Sequence, residues 1–164
     1  LKKQMVEATA GGVKPNPDYP YRGDFADEYR TRQVECAVAL YSKMGIGRGD
    51  KEGRMRAVLR NFEFFDAPHI AFLGMHPDFG TTVALDVGMF AQSLMLSMVA
   101  FGLHSCPMGT MRNYPDMVRE AFEIEDGTQI LFGISFGYED TSIEANETRT
   151  TRDDISTNIV FRSE

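Results

Sequence analysis

The chain has 164 residues, of which 43% are hydrophobic, and this is enough for one domain with an ordinary core. Its net charge of −7 argues against a nucleic-acid partner, which would require a basic face. Two cysteines, Cys36 and Cys106, indicate a reducing compartment rather than a disulfide framework, and no signal peptide is visible. We therefore expect a cytoplasmic protein.

The first part of the chain is predicted to be mainly helical. Residues 1–10 read as the end of a helix, and the three prolines within residues 13–23 predict an extended loop. Helices follow over residues 24–44, where Asp24 is the expected N-cap, and over residues 51–65.

Two apolar runs bounded by breakers, residues 69–75 and 128–137, predict strands. Residues 81–103 predict a long helix with apolar side chains around most of its circumference, which indicates a buried core helix. Its polar residues interrupt the roughly 20 apolar positions that a membrane span needs, so no membrane is expected. The predicted fold is α+β, with a small antiparallel or mixed sheet packed on this long central helix.

Shorter segments complete the prediction. Residues 106–113 read as a loop and residues 115–122 as a short helix that begins at a proline. Residues 139–154 form a polar arm without apolar periodicity, and residues 159–161 are predicted to be a short terminal strand.

Three motifs that superficially suggest a functional site are better explained by structural roles. The glycine-rich residues 45–49 follow a helix, which favours a helix end over a dinucleotide-binding loop. The three histidines match no zinc-binding spacing, so no metal site is expected. Nothing in the sequence pairs Cys106 with a base, so no catalytic nucleophile is predicted.

Other polar or flexible residues are compatible with either a structural or a ligand-binding role. Asp86 and Gln92 lie in the long helix, where unpaired burial costs on the order of 1–3 kcal/mol each. One interpretation is that they form hydrogen bonds to nearby backbone or lie at a dimer interface. The other is that they lie near a cofactor. The turn at residues 102–109 is either a plain loop or a bare backbone surface for a flat ligand. Arg149 and Arg152 suit a phosphate but also fit a solvated basic patch.

Five short motifs, read together, resemble those of the nitroreductase family in order and spacing. They are N-x-x-F-F-x-A-P-H from Asn61, D-x-G-M-F-x-Q-x-L-M-L from Asp86, G-L-x-S-C-P-x-G from Gly102, F-G-x-x-x-G-Y-x-D from Phe132 and N-x-x-R-x-x-R from Asn146.

The resemblance implies an intertwined homodimer that binds FMN at the subunit interface. It also implies two-electron transfer from NAD(P)H to a small-molecule acceptor, such as a nitroaromatic, a quinone or an activated alkene, by a ping-pong route. FMN carries the hydride chemistry, so no catalytic side chain is assigned. The residues that resemble the family's flavin-binding positions are Pro107, Met108, Gly109 and Thr110 beside the ring, and Arg152 with Arg149 at the phosphate.

The resemblance implies that residues 1–164 form a single domain of this family. Within it, residues 13–65 resemble the variable lid over the flavin. Tyr29, Phe64 and Phe65 are the candidates to face substrate, with core or dimer contacts as the alternative. The family's opening R-R-S-x-R motif is not in this sequence, so we expect weaker FMN binding than in a full-length member. A flavin-poor, non-catalytic remnant of the fold is the alternative function.

Overall fold

The computed structural model describes residues 1–20, 23–124 and 127–162, and residues 21–22 of the predicted loop lie outside that description. The chain separates into two compact units. Unit 1 comprises Leu1–Gly23 and Asp50–Asp140, and unit 2 comprises Asp24–Gly49 and Thr141–Glu164. The helices are α1 (Lys2–Ala10), α2 (Asp27–Lys43), α3 (Lys51–Phe62), α4 (Thr81–Ala100) and α5 (Pro115–Phe122), and the strands are β1 (His69–Met75), β2 (His104–Met108) and β3 (Gln129–Gly137).

The strands of unit 1 form one antiparallel sheet in the order β1–β3–β2, which confirms the predicted α+β fold and both predicted strands. The loop predicted at residues 106–113 is wrong in its first part, because β2 extends to Met108 and a 3₁₀ helix, Gly109–Asn113, follows it. Pro107 concealed this strand. A proline is compatible with β2 because the strand lies at the edge of the sheet.

A bulge in the central strand divides its apolar side chains between two cores. Leu73 pairs with Phe132 and Gly74 pairs with Ile130, so β3 carries one extra residue between these pairs. Since alternate strand residues face opposite sides, the extra residue places Ile130 and Phe132 on opposite faces. Only glycine fits at position 74, where a Cβ would lie 2.6 Å from a backbone oxygen of β3.

The two faces of the sheet are covered by different helices. On one face, α1, α3, α5 and the 3₁₀ helix contribute to the larger core, whose fully buried side chains are Met5, Phe62, Met111, Val118 and Ile130. On the other face, Leu73 and Ile134 pack against Ala91 of α4. The central strand is therefore enclosed on both sides, as its apolar composition requires.

The expectation that α4 is buried on most of its sides is wrong within this chain. Only Ala91 and Met98 of this helix are buried, because a three-stranded sheet is too narrow to cover more than one stripe. The outward side chains of Leu85, Met89, Leu96 and Val99 are 62–65% exposed. Among the described residues, α4 is also the helix whose length and composition would allow a membrane span, a test that ordinary core helices pass too.

The N-terminal loop of unit 1 is fastened to α5 and β3. The Asp18 carboxylate accepts hydrogen bonds from the Arg119 guanidinium and from the backbone N–H of Ile130, both at 2.8 Å. Arg119 also donates to Asp116 at 2.6 Å. Hydrogen bonds from Arg119 and then Asn16 hold the pKa of the Asp116 carboxyl below its usual range. Residues 13–20 of this loop thus form an ordered strap, although they have no regular secondary structure.

Unit 2 consists of α2 and the polar arm. α2 begins at Asp27, and its N-cap is Ala26 without a side-chain cap, so the prediction of Asp24 as the cap is wrong. No described residue of α2 is buried. The arm is attached by an ion pair between Lys43 and Glu147 at 2.6 Å and by another between Arg32 and Asp153 at 2.7 Å.

The terminal strand predicted at residues 159–161 is wrong. The described sheet has three strands, and Ile159, Val160 and Phe161 have no regular secondary structure. All three side chains are exposed. Three apolar residues without a neighbouring strand to pair with are too few to form a stable strand.

We predict that the strap contributes to stability mainly through Asp18. Replacing Asp18 by alanine leaves the Ile130 N–H and Arg119 without their shared, nearly buried acceptor, and should cost about 1–3 kcal/mol in the free energy of unfolding. Asp116 is 69% exposed, so Asp116→Ala should cost less than about 1 kcal/mol. Urea unfolding at one fixed protein concentration measures both values, and equal losses would contradict the assignment.

Candidate cofactor site

The candidate site lies where β2 leaves the sheet. Pro107 and Met108 pair with Ile134 and Gly133 of β3. Met108 points into the larger core and is 2% exposed, whereas Pro107 and Gly109 are exposed at the surface. The sheet register therefore fixes the backbone of the predicted flavin loop up to the residue before Gly109.

Two further contacts fix the other end of this loop. Met111 is fully buried against Gly133, where a Cβ would lie 2.8 Å from the Met111 side chain. The Thr110 hydroxyl donates to the side-chain oxygen of Asn61 at 3.4 Å. Asn61 is itself held because its amide nitrogen donates to two backbone oxygens of α3, each at 3.2 Å. The loop is clamped at Met108, Thr110 and Met111, and Gly109 is left uncovered between them.

Gly109 is not required by the fold of this chain. A Cβ built at this position meets no heavy atom within 4 Å, and the residue does not adopt a positive φ. Gly133 differs, since packing forbids a side chain there. The absence of a side chain at position 109 leaves a flat stretch of bare backbone, which is the kind of surface that a planar ring can approach closely.

The side chains nearest to this loop along β2 show no sign of nucleophilic activation. The Cys106 side chain reaches the surface, yet the surrounding protein desolvates its thiol and raises its pKa, so it is a thiol at neutral pH. His104 forms an ion pair with Glu139 at 3.3 Å when it is protonated. Among the described residues, no group of three or more His, Cys, Asp and Glu side chains could hold a metal ion.

A strained turn follows α3, close in sequence to Asn61. Phe64, Phe65 and Asp66 have φ values of 59°, 54° and 62°, a left-handed conformation that bulky residues rarely adopt. The Phe64 ring is buried against Phe72, with ring centroids 6.4 Å apart, and Asp66 accepts a hydrogen bond from Arg60 at 2.6 Å. These contacts hold Phe65 at the surface, where it is 40% exposed.

The remaining predicted site residues belong to unit 2. Tyr29 is 58% exposed, and the Arg32 guanidinium lies over its ring at 5.5 Å. Arg149 donates to two backbone oxygens of the arm at 2.7 and 3.0 Å. Arg152 donates to the Thr150 hydroxyl and to the Thr151 backbone oxygen, both at 2.8 Å. Both arginines are exposed and bind only neutral oxygens among these contacts.

The structure thus places the predicted flavin loop, Phe64 and Phe65 in unit 1, and Tyr29, Arg149 and Arg152 in unit 2. The site prediction omitted Asn61, which positions Thr110. In the sequence, the only indication of this role was that Asn61 is the first residue of the first motif.

A shallow apolar cleft of about 410 Å³ lies between β1 and α4, and Asp86 is its one ionisable lining residue.

The comparisons identify relatives that match most of the chain. A model of the nitroreductase family matches residues 5–138. Nitroreductase NfnB of Mycolicibacterium smegmatis is 35% identical over 140 residues, which are 85% of this chain and 59% of that protein. The 4-nitrobenzoate reductase of Pseudomonas putida is 31% identical over 130 residues, which are 79% of this chain and 57% of that protein. The chain therefore spans less than two thirds of both relatives.

Solved structures agree in fold. The FMN-dependent nitroreductase NfnB from Mycobacterium smegmatis, crystallised with NADPH, superposes with a TM-score of 0.92 at 32% identity and covers 99% of this chain and 72% of that one. The FMN- and NADPH-dependent NfnB from a Sphigopyxis strain also has a TM-score of 0.92, at 29% identity, with 99% and 74% covered. Both likenesses extend over nearly all of the chain.

Gly109 and Gly133 should respond differently to alanine. Gly109→Ala is expected to change the free energy of unfolding by less than about 0.5 kcal/mol, because the added methyl group meets open space. Gly133→Ala should cost about 1–3 kcal/mol, because the methyl group collides with Met111 in the core. Thermal unfolding of the two variants tests this, and a large loss at Gly109 would mean that the fold itself requires glycine there.

Proposed function

The chain belongs to the nitroreductase family, and we propose that it acts as an FMN-dependent oxidoreductase, taking two electrons from NAD(P)H and passing them to nitroaromatics, quinones or related acceptors by a ping-pong route. The observation that carries the proposal is the clamped loop around Gly109, with its uncovered backbone. When bound, FMN supplies the hydride chemistry, and the protein supplies binding, orientation and electrostatics.

The loop fits the ring of a flavin in its chemistry. Pro107, Gly109 and Thr110 are uncharged, and Met108 and Met111 anchor them in the core. A rigid backbone edge can present N–H groups to a ring without reorganising when the ring arrives. We assign Pro107, Met108, Gly109 and Thr110 to this role, with Asn61 as a positioning residue that holds the Thr110 hydroxyl.

Arg149 and Arg152 suit the phosphate of FMN. In a chain with a net charge of −7, an anion needs a local cluster of cations, and these two arginines lie three residues apart on the arm. Their present partners are neutral oxygens of the same arm, so a charged phosphate would offer both guanidinium groups stronger hydrogen bonds. We assign Arg152 as the main phosphate ligand and Arg149 as its helper.

The acceptor class follows from exposed aromatic side chains and from the relatives. Phe65 is held outward by a strained turn that Phe64 braces from the core, and Tyr29 is exposed on α2. Such rings can stack on a planar aromatic acceptor. One relative is a 4-nitrobenzoate reductase, and we propose nitroaromatic compounds as the acceptors tested first. Residues 13–65 would then act as the variable lid of a single nitroreductase-like domain.

We further propose that the protein is a cytoplasmic homodimer. α4 exposes more apolar surface than a monomer usually leaves in contact with water. Cys36 and Cys106 are free thiols, as in proteins of a reducing compartment. An obligate dimer of this kind buries about 2,000 Å² or more in total. Sedimentation velocity should give a dimer at micromolar concentration, and a stable monomer would contradict this part of the proposal.

Arg152 is expected to control FMN affinity. A bidentate guanidinium–phosphate contact contributes about 1.5–3 kcal/mol, so Arg152→Ala should raise the Kd for FMN by roughly ten- to a hundredfold. Arg30→Ala removes another exposed arginine of unit 2, which donates to Gln33, and should leave the Kd unchanged. Titration followed by flavin fluorescence measures both, and equal affinities for Arg152→Ala and the parent would remove Arg152 from the site.

Activity should follow the ping-pong pattern. With FMN added, NADPH as donor and 4-nitrobenzoate as acceptor, double-reciprocal plots at several acceptor concentrations should give parallel lines. Gly109→Val should reduce FMN binding and turnover together, because its side chain occupies the surface against which the ring would lie. A protein that binds FMN stoichiometrically but does not oxidise NADPH in the presence of nitroaromatics or quinones would refute the proposed activity.

A further inference from the structure

We propose that Arg54 binds the carboxylate of an acidic aromatic acceptor, so that the protein favours nitrobenzoates over neutral nitroaromatic compounds. This inference rests on the proposed function and names the substrate class of the same site. It depends on one side of α3, called here the α3 flank, which consists of Arg54, Val58 and Asn61.

Arg54 is a partly buried cation without an anionic partner. Among the described residues, its guanidinium takes part in no hydrogen bond and no ion pair, although the side chain is partly covered. Arg56 of the same helix is paired with Glu52 at 2.8 Å. Arg60 is paired with Asp66 at 2.6 Å. Partial burial of a charge is unfavourable unless the charge is paired, so Arg54 is a position where a ligand anion would be stabilised.

The acidic residue best placed to neutralise Arg54 has another role. Asp50 lies four residues before Arg54, a spacing at which an acid and an arginine commonly pair on a helix. Its carboxylate instead accepts a hydrogen bond from the Gly53 N–H at 2.7 Å and caps α3. This arrangement leaves the Arg54 guanidinium available to an anion from outside the chain.

The α3 flank leads from Arg54 to the candidate cofactor loop. Arg54 precedes Asn61 by seven residues, which is two helical turns, so both side chains project from the same side of α3. The side-chain oxygen of Asn61 accepts the hydrogen bond from the Thr110 hydroxyl, and this contact directs that side of the helix toward the loop. Arg54 therefore lies about 10 Å from Asn61 along the helix axis, on the side that faces the loop.

Val58 gives the α3 flank an apolar surface between its two polar ends. It follows Arg54 by four residues and precedes Asn61 by three, and its side chain is 40% exposed. An aromatic ring that packs on Val58 would direct one substituent toward Arg54 and the opposite substituent toward the cofactor loop. A nitro group para to a carboxylate has this arrangement.

The chemistry of the guanidinium favours a carboxylate at this position. The fork of N–H groups on an arginine matches the two oxygens of a carboxylate and forms a bidentate, charge-assisted pair with them. The chain has a net charge of −7, so an anionic substrate needs a local cation in order to bind. Lys51 is exposed three residues before Arg54 and adds a second positive charge near this end of the flank.

A neutral ester isolates the proposed contact. 4-Nitrobenzoate and methyl 4-nitrobenzoate share the ring and the nitro group but differ in charge, and the parent protein should have the lower KM for the acid. Arg54→Met keeps the apolar part of the side chain. With FMN and saturating NADPH, it should raise the KM for the acid by roughly ten- to a hundredfold, the equivalent of one charge-assisted contact. Its kcat for the acid and its KM for the ester should stay at the parent values.

Two matched variants distinguish binding from a structural effect. Arg54→Lys keeps the charge without the bidentate fork, so it should recover part of the lost affinity for the acid. Arg56→Met removes a neighbouring arginine of α3 that is paired with Glu52, and should leave both KM values unchanged.

The kinetic results can overturn the proposal in several ways. Equal increases in KM for the acid and the ester would show that Arg54 supports the shape of the site without binding the carboxylate. Unchanged values for both would remove Arg54 from the site. A higher KM for NADPH but not for NADH, with both acceptors unaffected, would assign Arg54 to the phosphate of the electron donor.

Direct binding separates this proposal from the proposed function. Isothermal titration calorimetry with 4-nitrobenzoate, in buffer that contains FMN and no NADPH, should give a Kd that Arg54→Met raises by at least about tenfold. Binding that depends on Arg54 in a protein that does not oxidise NADPH would support the carboxylate site and contradict the oxidoreductase activity. No binding to the parent, or reduction of 4-nitrobenzoate that is independent of Arg54, would overturn the carboxylate site alone.

Discussion

The central strand β3 is the constraint on which unit 1 depends, because its apolar side chains occupy both faces and both must be covered. The bulge opposite Gly74 sends Ile130 to one face and leaves Phe132 and Ile134 on the other. The first face receives several short elements, and the second receives α4. Because only one stripe of α4 fits on a three-stranded sheet, the need to enclose β3 also creates the exposed apolar stripe on the opposite side of that helix. An interaction inside the chain thus generates the surface that a second copy would cover.

The sequence predicted the elements that depend on local periodicity. It did not predict the features that depend on where an element lies in the assembled fold. The strands at residues 69–75 and 128–137 and the long helix follow from predominantly apolar stretches of the sequence. β2 was missed because Pro107 is acceptable only at a sheet edge, and edge position is a property of the assembled sheet. Which residues of α4 are exposed could not be predicted for a similar reason, since an apolar helix has the same composition whether the surface covering it belongs to its own chain or to another one.

Much the same distinction applies to the candidate site. From the residues alone, the glycine- and proline-rich turn was either a plain loop or a bare backbone surface for a flat ligand. The structure shows that neither sterics nor φ requires glycine at position 109. The contacts of Asn61, Thr110 and Met111 join residues that are far apart in the sequence, and no local sequence pattern predicts such contacts. The left-handed turn of Phe64, Phe65 and Asp66 was also unpredictable, because bulky residues disfavour it and only burial of Phe64 and the bond from Arg60 maintain it.

The C-terminal end of α4 is connected directly to the candidate cofactor loop. The helix ends in a closed turn in which Leu103 N–H donates to Met98 O and Gly102 N–H donates to Val99 O, both at 3.0 Å, with Gly102 at a φ of +72°. Such a turn is a stiff joint, and β2 begins at the next residue and leads directly to Gly109. Met98 anchors the joint in the core. Any shift of α4 on the sheet would therefore move β2, and with it the backbone at Gly109. The burial of Ala91 and Met98 holds α4 against such a shift, and a fixed backbone is what the proposed site, which would be built from main-chain groups rather than adaptable side chains, requires.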